Sequence, residues 1–189
     1  TNDESLLIEV SAVKKSRNEA KNRNISLTIS AVRSYENLLK IKRLITSEGL
    51  RRSPSFKMFA EVCIPSFVFD LEKIDSDDID GFIIDLDTLA KNSLLKTNLA
   101  DNDYCVILEV LKKIKQIAKE KKLILGIKLD TKLSNKIFKE IILLQPSILI
   151  TTFTLKDDDI DLIEKTEKEF FQNMLIPLNK RGRKIKKLF

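Results

Sequence analysis

Phe59-Ala-Glu-Val-Cys-Ile-Pro-Ser66 and Asp80-Gly-Phe-Ile-Ile-Asp-Leu-Asp-Thr-Leu89 are two short apolar runs that each end in polar or acidic residues. Runs of this length and composition are typical of strands buried on both faces of a parallel sheet. In α/β folds the residues that follow such strands lie at the functional edge of the sheet. The two stretches therefore predict parallel strands with carboxylates at their carboxyl ends, a position that favours a metal or substrate site.

Apolar patterns on either side of these runs predict one initial helix followed by five strand-helix units. The predicted strands span residues 25–30, 57–63, 80–84, 123–127 and 147–150, and the predicted helices span 5–21, 34–47, 67–73, 88–95, 104–120, 133–144 and 157–171. Ser34 is placed to cap the second helix and Gly49 to end it. This alternation requires right-handed crossovers and a parallel sheet. We therefore predict an α/β fold, either a partial TIM-type (β/α) barrel or an open parallel sheet of about five strands flanked by helices.

Composition excludes several kinds of site. The 189-residue chain has no His and two Cys, which excludes zinc sites, Ser-His-Asp triads and Cys-His pairs within this polypeptide. Cys63 and Cys105 are predicted to be buried small apolar residues rather than a disulfide. The four glycines form no nucleotide-binding pattern. No run approaches the roughly 20 apolar residues of a membrane span, and the N-terminus is not a signal peptide, so we expect a cytoplasmic protein without membrane contact.

The net charge of +6 is concentrated at the C-terminal end of the chain. Residues 179–189 contain no acid and six cations: Lys180, Arg181, Arg183, Lys184, Lys186 and Lys187. Residues 1–178 are therefore neutral overall, and we predict a single α/β domain over 1–178 with a basic tail over 179–189. Such a tail suits nucleic-acid phosphates or an acidic partner, although a short basic terminus is also typical of a solvated, solubilising end.

From about residue 7 to residue 153 the chain resembles the C-terminal barrel of the phosphoenolpyruvate synthase and pyruvate, phosphate dikinase family. Residues 27–34, Leu-Thr-Ile-Ser-Ala-Val-Arg-Ser, are similar to the family's Met-Ile-Pro-Phe-Val-Arg-Thr, which implies a substrate-binding role for Arg33. Residues 60–66 resemble the family's Met-Val-Glu-Ile-Pro-Ser in two alternative alignments. With Ile-Pro-Ser aligned, Cys63 stands opposite the family's Glu, and Glu61 lies two positions earlier on the same strand face.

A second stretch of the resemblance covers residues 80–91. It matches the family's Asp-Gly-Phe-Ser-Ile-Gly-Thr-Asn-Asp-Leu-Thr-Gln without a gap. Asp87 stands where the family has Asn, Thr88 where it has a second metal-binding Asp, and Asp85 where it has Gly. Residues at a strand-to-helix junction also cap helices, so capping alone would explain one of the two carboxylates.

The reactive position of the family is also changed. Residues 126–129, Gly-Ile-Lys-Leu, resemble the family's Gly-Ile-Cys-Gly, whose thiol donates a proton, so Lys128 takes the place of the cysteine. Lys128 is either an amine with a depressed pKa or a solvated or ion-paired cation. The resemblance implies Mg²⁺ as cofactor, held by Glu61, Asp85 and Asp87, with Asp87 also facing the substrate.

Three functions remain open from the sequence. The first is a catalytically degenerate phosphoenolpyruvate/pyruvate-binding barrel with a structural or interaction role, which loss of the thiol and of one metal ligand favours. The second is the working C-terminal part of a phosphotransferase of this family that uses Mg²⁺. The third is a basic-tailed module that binds nucleic acid or an acidic protein. A five-stranded segment also leaves two sheet edges and an apolar flank uncovered, so self-association or a missing barrel half is expected to cover them.

Overall fold

The computed structural model describes the backbone of residues 3–185 and the side chains of residues 4–173. Helices and strands alternate in the order α1 Asp3–Asn18, β1 Leu27–Ile29, α2 Tyr35–Ser47, β2 Met58–Val62, α3 Pro65–Val68, a 3₁₀ turn Leu71–Lys73, β3 Gly81–Asp85, α4 Leu86–Leu94, α5 Asp101–Glu120, β4 Ile124–Leu129, α6 Asn135–Leu143, β5 Ile148–Thr151 and α7 Asp157–Ile185. Within these residues, no helix combines the length and apolar content that crossing a membrane requires.

The five strands form one parallel sheet in the order β1-β2-β3-β4-β5. Each strand therefore pairs with the strands directly before and after it along the chain, which is the winding of a (β/α) barrel. The predicted α/β class, with about five parallel strands flanked by helices, is confirmed.

One face of the sheet packs against helices and carries the main core. Alternate strand residues such as Met58, Ala60, Phe82, Ile84 and Ile127 point to this face and are almost completely buried. They pack with buried residues of the surrounding helices, among them the apolar stripes of α2, α5 and α6. Burying one large apolar side chain stabilises the folded state by about 1.5–3 kcal/mol, so this layer is the dominant stabilising element of the fold.

The opposite face of the sheet carries no helix among the described residues, and we call it the open face. It presents the other set of alternating residues, including Phe59, Ile83, Ile148 and Ile150. A cavity of about 480 Å³ lies against this face. In a closed (β/α) barrel the corresponding face would line the interior, because inward and helix-facing residues alternate along each strand.

Local signals explain the bounds of several helices. The Ser34 hydroxyl accepts a hydrogen bond from the Asn37 backbone N–H at 3.1 Å and caps α2 as predicted. Gly49, just beyond α2, has φ +89°, a conformation that favours glycine. Helix α5 begins earlier than predicted, because the Asp103 carboxylate accepts from the Ala100 backbone N–H at 2.9 Å.

Two sequence predictions need adjustment. The predicted burial holds for Cys63, but it is wrong for Cys105, whose thiol lies on the exposed side of α5; both cysteines are free. Helix α7 extends to Ile185, well past the predicted end at residue 171. The predicted division between a domain and a basic tail falls within this helix, where the structure does not describe the side chains, and it stays a prediction.

Candidate functional site

The carboxyl ends of β3 and β4 are joined by an ion pair between Asp85 and Lys128. These residues are register partners on the open face, and the Lys128 Nζ lies 2.7 Å from Asp85 Oδ2. The same ammonium lies 3.3 Å from an oxygen of Asp130, just beyond β4. The Lys128 side chain is 28% exposed and that of Asp85 only 7%. A partly buried cation thus neutralises the carboxylate that ends β3.

The ion pair fixes the charge of both partners. The hydrogen bond to Asp85 raises the pKa of Lys128 above its ordinary value, although partial burial opposes this. Burial disfavours ionised Asp85, but the Lys128 ammonium and the Thr88 backbone N–H more than offset it and lower the pKa of the carboxyl. Lys128 is therefore a permanent cation at neutral pH, which fits the ion-paired alternative rather than an amine with a depressed pKa.

Asp85 also begins the helix that follows it. Its Oδ1 accepts a hydrogen bond from the Thr88 backbone N–H at 2.9 Å, which makes Asp85 the N-cap of α4. One oxygen of the carboxylate therefore caps a helix and the other binds an ammonium. Each oxygen of the carboxylate thus already accepts one hydrogen bond within the protein.

Asp87 lies on the helix side of the junction and is almost completely buried. Its Oδ1 accepts from the Tyr104 hydroxyl at 2.5 Å, and its Oδ2 accepts from the backbone N–H groups of Asp130 and Thr131 at 2.7 and 3.0 Å. The carboxylate thereby joins α4 to α5 and to the loop after β4. Burial, followed by the hydrogen bond to Asp87, raises the pKa of Tyr104. These contacts give Asp87 a structural role.

Glu61 and Cys63 lie beside the ion pair at the carboxyl end of β2. Burial raises the pKa of the Cys63 thiol, and the Glu61 carboxylate adds to this effect. Asp85 and Lys128 also act on the thiol, so all four side chains share one end of the open face. The Asn92 side-chain amide donates to the Cys63 carbonyl at 2.8 Å and ties this end of β2 to α4. The half-buried Glu61 carboxylate makes no hydrogen bond or ion pair with another described residue.

Arg33 follows β1 and is exposed. Its backbone N–H donates to the Asn37 side chain at 3.3 Å and its carbonyl accepts from the Ser66 hydroxyl at 3.0 Å. Its guanidinium makes no hydrogen bond or ion pair with another described residue. The predicted substrate-binding role of Arg33 stays a prediction, and the predicted tail cations all lie outside the side chains that the structure describes.

The carboxylates that the resemblance assigns to Mg²⁺ do not form one ligand set. Among the side chains described, no group of three or more Cys, Asp or Glu is placed to hold a metal ion. Glu61 and Asp85 share the open face, but the Asp87 carboxylate lies on the helix side and accepts hydrogen bonds from three donors there. The three carboxylates therefore do not meet at one point, and the predicted Mg²⁺ site stays a prediction, since this ion commonly takes one or two carboxylates with water and substrate oxygens completing its shell.

Sequence reasoning missed two contacts in this region: the pairing of Lys128 with Asp85 and that of Tyr104 with Asp87. Each contact joins residues on separate helices or strands, so the periodic pattern within one element does not predict it. One signal was available for the first pair, because both residues end neighbouring parallel strands and carry opposite charge. Strand ends of neighbouring parallel strands meet at one edge of the sheet.

Comparison with protein-family profiles and with curated proteins found no match for this chain. Among solved structures, the chain is similar to RipC from Yersinia pestis, with a TM-score of 0.54 and 9% identity over 75% of this chain and 62% of that one. It is also similar to an HpcH/HpaI aldolase from Desulfitobacterium hafniense DCB-2, with a TM-score of 0.51 and 11% identity over 79% of this chain and 63% of that one. These likenesses support a barrel-like fold, and the chain spans less than two thirds of the length of either structure.

Proposed function

We propose that this chain is a barrel domain related to the phosphoenolpyruvate/pyruvate-binding barrels, that it has lost magnesium-dependent chemistry, and that it serves a structural or interaction role. The observation that carries the proposal is the 2.7 Å contact between Lys128 Nζ and Asp85 Oδ2. In the family that the sequence resembles, this end of the barrel holds a divalent cation and a proton-donating thiol. Here one ammonium lies where the thiol would be and neutralises the neighbouring carboxylate.

Electrostatics oppose a metal ion at this position. A divalent cation bound to Asp85 would lie within a few ångströms of the Lys128 ammonium, and two positive charges repel strongly at that distance in a partly desolvated site. The ion would also share the carboxylate with the ammonium and the helix-capping N–H, which already bind one oxygen each. Thr88, at the position of a metal-binding Asp in the resemblance, offers no charge to compensate.

The remaining groups do not supply the lost chemistry. The raised pKa of Lys128 makes its ammonium a poor proton donor at neutral pH, so it is a weak substitute for the family's proton-donating thiol. The Cys63 thiol is buried and its pKa is raised, which disfavours the reactive thiolate. The similarity to the HpcH/HpaI aldolase structure supports the barrel scaffold alone, because a shared fold does not imply a shared function.

A calorimetric titration with phosphoenolpyruvate, with and without Mg²⁺, tests the proposal. We expect no saturable heat in either condition for the natural sequence. The double variant Lys128→Cys with Thr88→Asp restores the family residues at both positions and removes the competing ammonium, so a gain of Mg²⁺-dependent binding in that variant would support our interpretation. Saturable, Mg²⁺-dependent micromolar binding by the unaltered chain would refute it and favour a working phosphotransferase segment.

A further inference from the structure

Another cavity, of about 720 Å³, lies among the helices that cover the sheet, opposite the open face. We call it the helix-side cavity. Its floor is formed by Leu89 of α4 and Ile114 of α5, which belong to the buried core. Its walls include the partly buried apolar residues Val68, Val110 and Ile117. A mainly apolar lining of this kind is typical of small-molecule sites.

Two side chains at the rim of this cavity contribute little to the fold. Phe69 is 83% exposed and Leu95 is 91% exposed, the highest values among the large apolar side chains that the structure describes. Leu95 ends α4 with φ +54°, a left-handed conformation that favours glycine or asparagine over leucine. Because folding gains almost nothing from either side chain, two exposed apolar residues beside one cavity indicate a binding surface.

The polar groups that border the cavity carry no net charge. Glu72 and Lys113 both line it, and neither side chain makes a hydrogen bond or ion pair with another described residue. The Asn92 amide nitrogen donates to the Cys63 carbonyl, which leaves the amide oxygen as an acceptor beside the Ser93 hydroxyl group. A ligand with a single charge would be attracted by one of the two charged residues and repelled by the other. An uncharged molecule with a hydrogen-bonding group fits these surroundings better.

The apolar surface at the rim is too small for a stable protein partner. An aromatic side chain buries about 150–250 Å² at most, so Phe69 and Leu95 together offer on the order of 300 Å². Each partner in a stable protein interface buries about 800 Å². The volume of the cavity, in contrast, lies within the range of about 300–1,000 Å³ that small-molecule sites occupy. Size therefore favours a small molecule over a second copy of the chain.

We infer that the helix-side cavity binds an uncharged, largely apolar small molecule, which Phe69 and Leu95 contact at the rim. The Asn92 oxygen and the Ser93 hydroxyl group supply its hydrogen bonds. This inference goes beyond the function proposed above, since the cavity does not involve the ion pair between Lys128 and Asp85.

A chemical-shift titration of the isotope-labelled chain with 2-naphthalenemethanol tests the inference. This probe is an uncharged aromatic alcohol of about twelve non-hydrogen atoms, for which a Kd of roughly 1 mM is expected. We expect saturable shifts at the backbone amides of residues that line the cavity. The matched anion 2-naphthoate and the matched cation 2-naphthylmethylammonium should bind no more tightly than the alcohol.

The variant Leu95→Asn separates binding from folding. Asparagine tolerates the left-handed conformation, so the thermal midpoint should stay the same or rise. Binding should weaken about fourfold or more, which is the factor that burying one methylene group contributes. Phe69→Asn should weaken binding in the same way. Ile8→Gln is the matched control, because Ile8 is 70% exposed on α1 and does not line the cavity, and it should leave binding unchanged.

Four outcomes would each overturn the inference. They are no saturable shift in the unaltered chain, shifts confined to the open face, tighter binding of either charged analogue, and binding retained in both rim variants. The calorimetric titration above uses phosphoenolpyruvate and reports on the open face, so the two proposals can fail separately.

Discussion

Replacing Lys128 with Met is expected to destabilise the fold measurably, because it removes the cation that neutralises Asp85 and leaves a similar apolar stem. Asp85 is only 7% exposed, and in the variant its Oδ2 would lose the 2.7 Å hydrogen bond from the ammonium. Leaving a buried carboxylate without its partner lowers the free energy of unfolding more than removing an ion pair at the surface does.

The size of the effect follows from the geometry. Hydrogen bonds to charged groups contribute about 1.5–3 kcal/mol each to stability. Because the Lys128 side chain is 28% exposed, water weakens this hydrogen bond in part. We therefore expect the free energy of unfolding at pH 7 to fall by about 2 kcal/mol. The pKa of Lys128 is raised in the fold, so its stabilising contribution is complete at pH 7. That contribution declines only as pH rises above about 10.4, the pKa of lysine in the unfolded chain. Asp85, whose pKa is lowered, contributes stability above its unfolded value of about 3.9 that is lost as pH falls through its folded pKa.

Urea denaturation at pH 7 and near pH 3 measures this difference. The destabilisation by Lys128→Met should shrink at the lower pH as Asp85 becomes protonated. Lys112→Met is the matched control: its ammonium lies 2.6 Å from Glu109, but the two side chains are 53% and 70% exposed, so its removal should leave unfolding unchanged. Equal effects of the two substitutions at neutral pH would refute the idea that burial makes the Lys128 pair important.

Three further expectations concern stability and titration. Asp87→Ala should cost about 3 kcal/mol or more in chemical denaturation, because it orphans the Tyr104 hydroxyl and two backbone N–H groups; Asp87→Asn, which keeps an acceptor, should cost less. Gly81→Ala should lower the yield of folded protein, since a Cβ there would lie 2.2 Å from the Ile124 carbonyl oxygen, and a normal thermal midpoint would contradict that contact. The two tyrosines, Tyr35 and Tyr104, both have raised pKa values, caused first by burial. Absorbance should therefore detect little tyrosinate in the folded protein at pH 10. The contribution of these tyrosines to the free energy of unfolding should fall as pH rises above about 10.

Helix α2 shows why much of the fold could be predicted. Its cap Ser34, its buried stripe and its terminal Gly49 are local signals, each set by residues a few positions apart. The strands were recognisable for the same reason: β3 is buried at every position, and its first four residues form an apolar run that ends at Asp85. The parallel direction of the strands then followed from the alternation of strands and helices.

Helix α5 shows where the pattern was insufficient. Val106 is apolar and lies within the predicted helix, but it is exposed, while Ile107 and Tyr104 are buried. Tyr104 turns inward because its hydroxyl reaches the Asp87 carboxylate, a contact 17 residues away in sequence. The orientation of an amphipathic helix depends on its neighbours, which a single-helix pattern does not contain.

The candidate site was predictable in location but not in chemistry. Strand-end carboxylates at Glu61 and Asp85 were identified from the sequence, and the structure places both at one end of the open face. The bonding state of each carboxylate depends on donors elsewhere: an ammonium from β4 for Asp85, and loop N–H groups for Asp87. A sequence resemblance indicates which positions carry a carboxylate, whereas the ability of that carboxylate to bind a ligand depends on which of its oxygen atoms remain free.

The strictly consecutive order of the strands has a consequence for how this molecule folds and varies. Every ladder joins strands that are consecutive along the polypeptide, so each ladder closes around the helices of a single repeat. Assembly can therefore start within one repeat and spread outward one repeat at a time. An architecture of this kind tolerates the gain or loss of a terminal repeat, since the inner ladders contain no hydrogen bond that the outermost repeat supplies.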